Sequence, residues 1–208
     1  MRQRESNTPS PGRVGAPHAW PTPRRMRLAE CVIALALLCA SCESLAQPEP
    51  TQVSLEYAVK ATYLYKLAPF VSWPPRTFHA PNAPFEICVV GDDPFGDYLE
   101  RAIAGHSLGA HPFAVRRIEK LEPDTDCQIA FIGHLSTQSL GDALAAVNGK
   151  PVLTVTDSDI TNDGGSIMQF VIERGRVRFD INTGAAARNH LAISSKLLHL
   201  ALAVKDDR

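Results

Sequence analysis

The stretch FEICVVGDDPFGDYLERAIA, residues 85–104, decides the fold. Its opening FEICVV is an almost unbroken apolar run rich in β-branched residues, the composition of a strand buried on both faces. Asp92 or Asp93 then predicts a helix cap, and Pro94 the first helical position, where a missing N–H breaks no hydrogen bond. The sequence YLERAIA continues as a helix. Strand, cap and helix in that order form the repeating unit of a mainly parallel sheet, because parallel neighbours need a crossover.

The rhythm continues downstream. PFAVRRI (112–118) and CQIAFIG (127–133) read as strands, STQSLGDALAAV (136–147) as a helix capped by Ser136, and PVLTVTD (151–157) as another strand. SDITNDGGS follows as a loop, its DGGS (163–166) a turn using positive φ. It has neither the Lys-Ser/Thr nor the following helix of a phosphate loop. IMQFVIERGRVRFDI (167–181) predicts a hairpin about Arg174-Gly175. The tail is expected to be helical from Gly184 to Val204, broken near Asn189-His190, with Leu197, Leu198, Ala201, Leu202 and Val204 on its buried face.

Upstream, SLEYAVKATYLYKLAPFVSW (54–73) places Leu55, Val59, Tyr63, Leu67 and Val71 at steps of four. That stripe predicts an amphipathic helix opening at Ser54 and burying those residues, with Pro69 kinking its last turn. The expected architecture is a three-layer α/β/α sandwich with a mainly parallel sheet and an antiparallel hairpin at one edge.

The N-terminus has a different character. Residues 1–25 are rich in proline and lack apolar periodicity, which predicts a disordered, mis-called extension with Met26 as initiator. Arg24, Arg25 and Arg27 precede the apolar run Cys31–Ala40 and then Ser44-Leu45-Ala46, the layout of a secretory signal over 26–46. Cys42 offers lipidation as an alternative, although Cys39 stands where a Leu is usual. One domain is expected over 47–208, in the periplasm. After cleavage at Ala46 the chain carries 15 Lys/Arg against 19 Asp/Glu, so nucleic acid and anionic lipid are not expected partners.

Export leaves Cys88 and Cys127, and an oxidising compartment favours a disulfide between them. A redox-active pair or two buried thiols are the alternatives. Asp92 and Asp93 sit where open α/β sheets bind ligands, but capping explains them without a metal. The seven histidines have no ligand spacing. Ser195 and Lys196 are adjacent and diverge on a helix, so they do not form a serine-lysine pair. No catalytic residue, metal or cofactor is expected.

The pieces KATYLYKLAPFVSWP (60–74), FEICVVGDDPFG (85–96), CQIAFIG (127–133), PVLTVTD (151–157), GGSIMQFVIERGRVRFDIN (164–182) and AAARNHLAISSKLLHLA (185–201) together resemble the YfiR family of periplasmic regulators. The resemblance implies a non-enzymatic protein that binds the periplasmic sensory domain of an inner-membrane diguanylate cyclase and represses cyclic-di-GMP synthesis. It also implies an OmpA-like outer-membrane lipoprotein that sequesters the repressor, and a homodimer is compatible with it. Cys88 and Cys127 look like the family's structural cysteine pair. Pro69 and His190 depart from the family pattern, the latter standing where Gly is usual, so Asn189 or His190 must supply a left-handed turn. Expected contact residues are Trp73 and the arginines Arg176, Arg178 and Arg188. The rival reading is an exported small-ligand sensory module with a pocket near Asp92 and Gly164.

Overall fold

The computed structural model describes residues 52–157 and 165–206, apart from the side chains of Gln52 and Ser54. The extension, the export signal, Cys42 and most of the SDITNDGGS loop lie outside the described residues. In chain order the elements begin with α1 (Gln52–Leu67), a 3-10 turn (Ala68–Phe70) and β1 (Val71–Ser72). Next come β2 (Phe85–Val90), α2 (Tyr98–Ile103), β3 (Ser107–Leu108), β4 (His111–Ile118) and β5 (Ile129–Ile132). Then follow α3 (Leu140–Ala146), β6 (Leu153–Asp157), β7 (Met168–Glu173) and β8 (Arg176–Asn182). The tail supplies α4 (Thr183–Arg188), β9 (Ala192–Ile193), α5 (Ser195–Leu198) and β10 (Val204–Lys205).

Eight strands form one sheet in the order β10-β8-β7-β6-β5-β2-β4-β3. The five strands from β4 to β7 are parallel neighbours, while β7–β8 and β3–β4 are antiparallel. The β7–β8 hairpin turns through Arg174 and Gly175, both at positive φ, which matches the right-handed twist of the flanking strands. It is not the outermost element, since β10 adds in parallel along β8.

Alternation along the strands divides the core in two. Phe85, Ile87 and Val89 of β2 join Ile129, Phe131, Leu153 and Val155 beneath α1 and α2. Cys88 and Val90 point the other way, with Ala130 and Ile132, against Ala143 and Val147 at α3. The result is an α/β/α sandwich with one heavily covered face and one thinly covered face.

Several boundaries differ from the sequence expectation. Helix α1 starts at Gln52, ahead of Ser54. Its buried face is Lys60, Ala61, Leu64 and Leu67; of the four-step stripe, Leu67 and Val71 are buried as expected and Tyr63 is half-buried, while Leu55 and Val59 are exposed. Neither Asp92 nor Asp93 caps a helix: Asp93 Oδ1 accepts from Phe95 N at 2.7 Å in a local turn, and α2 begins after Asp97. Helix α3 is capped by Ser139, whose hydroxyl accepts from Asp142 N, and not by Ser136. Pro69 ends α1 as expected by forcing the 3-10 turn.

The tail departs most. Instead of a helix over 184–204 it holds two short helices and two short strands. Helix α4 ends at a left-handed His190 (φ 56), whose N–H bonds Ala187 O while Leu191 N reaches Ala186 O, a Schellman closure. The chain then leaves in a new direction, and β9 pairs antiparallel with β1, tying the tail to the end of α1. Ser194 caps α5 through Leu197 N, as its position before the helix predicts. Of the five tail residues expected inside, Leu197 is fully buried, Leu198 and Ala201 are partly buried, and Leu202 and Val204 are exposed.

Candidate functional site

Rotation of α1 creates the most distinctive surface. Leu55 is 59% exposed and Val59 38%, although both lie on an otherwise well-packed helix, and Ile172 on the facing hairpin is 39% exposed. Between them runs a groove of about 450 Å³ whose walls are Leu55, Val59 and Tyr63 of α1 and Ile172 and Val177 of the hairpin. Tyr63 closes the floor, packing against Phe170 and Phe179 with ring centroids 6.1 and 5.9 Å away. Arg176 and Arg178 flank it, and Glu56 lies at its helical side.

The reason for the rotation lies one turn into α1. Lys60 is fully buried, hydrogen-bonded to Glu56 Oε1 and to Asp157 Oδ2, and Asp157 is likewise fully buried. Asp157 ends β6 on the same face as Leu153 and Val155, so the strand delivers its carboxylate under the helix. Tyr57 donates to Asp157 Oδ2 at 3.1 Å, and the Lys60 ammonium lies 4.6 Å from the Tyr57 ring centroid. A buried charge needs such partners, because desolvation alone is worth several kcal/mol (order of magnitude). Turning Lys60 inward turns Leu55 and Val59 outward. The groove is thus a geometric consequence of the buried pair, and Glu56 touches both.

The contact residues expected from sequence are not gathered in one place. Arg176 and Arg178 share the groove, with Arg178 Nη1 3.6 Å from Glu173 Oε2. Arg188 lines a separate cavity of about 230 Å³ with Thr154, Ile167 and Asn189. Trp73 is half-buried, its indole donating to Ala68 O at 3.3 Å and its ring edge-on to Phe85 at 5.2 Å. The buried Lys60–Asp157 pair was not anticipated. The signal present in the sequence was a lone Lys in the middle of an apolar helix and an Asp ending an apolar strand.

At the strand ends near Asp92 the backbone is closely paired, beside a cavity of about 220 Å³ lined by Gly133, His134, Leu135 and Ser139. Asp92 N bonds His134 O and Gly133 N bonds Val90 O, both at 2.9 Å, zipping the ends of β2 and β5 together. A Cβ on Gly91 would fall 2.3 Å from His134 O, and one on Gly133 the same distance from Asp92 O. Asp93 is engaged by Arg117 Nε at 2.7 Å, and Arg117 also grips Glu100. That grip holds the Glu100 carboxyl below its ordinary range and holds the Arg117 proton more firmly than usual. Gly164 lies outside the described residues.

Cys88 and Cys127 are joined in a disulfide, with Cα atoms 5.9 Å apart. It links β2 to the residue entering β5 on the thinly covered face, and Cys88 is fully buried. Among the described residues no group of three or more His, Cys, Asp or Glu is placed to hold a metal ion. Ser195 and Lys196 lie exposed on the single turn of α5.

The fold and this surface define an α/β sandwich that presents an apolar, arginine-flanked face. A comparison with family models is specific: the YfiR/HmsC-like model matches residues 57–202, and the chain belongs to that family. The family is regulatory and non-catalytic, and membership makes the chain in general terms a periplasmic regulator of cyclic-di-GMP signalling.

Proposed function

We propose that this protein represses an inner-membrane diguanylate cyclase by binding its periplasmic sensory domain, and that it catalyses no reaction itself. The observation that carries the reading is the groove between α1 and the β7–β8 hairpin. Apolar side chains there stand open to solvent beside Tyr63, Arg176 and Arg178, and tyrosine and arginine are among the residues that supply most binding energy at protein interfaces. Such a protein lowers output only if it binds the cyclase's inactive state more tightly than its active one. A hundredfold difference corresponds to about 2.7 kcal/mol of bias (order of magnitude).

In this scheme Arg176 and Arg178 make the central contact, with Trp73 and Arg188 as outlying contacts. An OmpA-like lipoprotein would relieve repression by competing for the regulator, and release would raise cyclic-di-GMP. The test is co-purification of the full chain with the periplasmic domain of its cyclase. Arg178→Ala and Val59→Asp should each weaken the complex at least tenfold, and wild-type affinity in both variants would contradict the assignment.

A further inference from the structure

Resting on the binding reading above, we propose that the groove receives an amphipathic helix of another protein, carrying carboxylates beside its apolar face. Its shape argues for a helix. Leu55, Val59 and Tyr63 succeed one another at steps of four along α1, forming one ridge of about 12 Å at 1.5 Å per residue. Such a ridge is what a second helix packs against. Ile172 and Val177 make the opposite wall, and the floor is closed by aromatic packing through Tyr63.

Charge argues for carboxylates. The strand leaving the hairpin, β8, carries Arg176 and Arg178 at alternate positions, the first exposed and the second half-buried. The acids nearby are committed: Glu56 binds Lys60, and Glu173 faces Arg178. Beyond that pair, Arg176 adds a positive charge to the lining of the groove. Carboxylates beside an apolar helix face would meet these arginines in a forked geometry suited to guanidinium. A second copy of this chain would bring the same arginine-rich rim to the interface, which disfavours self-association there.

The experiment places a photo-activated cross-linking amino acid at position 59 of the full chain, expressed and exported in its own host, with a control at exposed His79. Cross-linked peptides are sequenced by mass spectrometry. The expected result is an adduct at position 59 and not at 79, to a segment of another protein with apolar residues three or four apart and Asp or Glu beside them. Arg176→Glu with Arg178→Glu should reduce its yield at least tenfold while the chain stays folded by circular dichroism, although placing both glutamates beside Glu173 lowers the thermal midpoint. An adduct to a second copy, to this chain's own residues before position 52, to a segment without acids, or no adduct would overturn the proposal. Deletion of the gene reports on the regulator reading separately. A rise in cyclic-di-GMP on deletion with no adduct at position 59 would sink the groove and leave the repressor standing.

Discussion

Replacing Lys60 by Met removes one partner of a fully buried ion pair and leaves Asp157 beneath the helix with its charge uncompensated by an ammonium. Breaking such a pair costs about 3–5 kcal/mol, because the surviving ion retains its desolvation penalty without its Coulombic partner. Against a total stability of about 5–15 kcal/mol this is a large fraction. It corresponds to a fall in Tm of roughly 6–20 °C for a domain of this size. Asp157→Val should cost a similar amount by stranding the Lys60 ammonium, to which Glu56 remains. The double variant Lys60→Met/Asp157→Val removes both charges, and with them the bonds from Tyr57 and Lys60 to Asp157 and from Lys60 to Glu56. Its cost should be only about 1–2 kcal/mol. Urea unfolding followed by circular dichroism, with unchanged m-values, measures all three. A Lys60→Met cost below about 1 kcal/mol, or two single costs that simply add in the double variant, would refute this account of why α1 is rotated.

Other consequences are smaller. Reduction of the Cys88–Cys127 bridge, or Cys88→Ala with Cys127→Ala, reopens a loop of 39 residues and should cost about 4 kcal/mol in the chain-entropy model, read by the same unfolding assay. His190→Gly relieves a left-handed non-glycine residue at the end of α4. It should raise stability by about 0.5–1 kcal/mol after the added freedom of the unfolded chain, and a loss would count against the Schellman closure. Because Arg117 lowers the Glu100 pKa, that pair stabilises fully above the ordinary carboxylate range and loses its contribution as pH falls through the lowered folded value. Glu100→Gln should therefore flatten the acid limb of stability against pH. The change should be under about 1 kcal/mol at neutral pH because the side chain is nearly half exposed.

The sheet was legible because its central strands are short apolar runs, and the hairpin because Arg174-Gly175 interrupts two alternating segments. The face of the first half of α1 was not, although Leu67 and Val71 are buried as the stripe predicts. Apolar periodicity selects Leu55, Val59 and Tyr63, and no counting of hydrophobic residues turns a helix toward a lysine whose partner lies 97 positions away. Ser136 and Ser139 are equal caps on composition, and the second is the one whose hydroxyl accepts from the helix. In the tail, good helix formers from Ala185 to Leu202 concealed that β1 and β8 had unpaired edges waiting for β9 and β10. Arg176 and Arg178, singled out in the sequence, line the groove, whereas Leu55 and Val59, which the apolar stripe places inside, stand exposed on its helical wall.

The central claim is repression of cyclic-di-GMP synthesis from the periplasm by binding. Intracellular cyclic-di-GMP should be measured in the source strain with the gene deleted, then restored as the exported wild type, as an exported Val59→Asp/Arg178→Glu variant, and as a form lacking the export signal. The account predicts a rise on deletion that only the exported wild type reverses. An unchanged level on deletion, or reversal by the form without the signal, would contradict it.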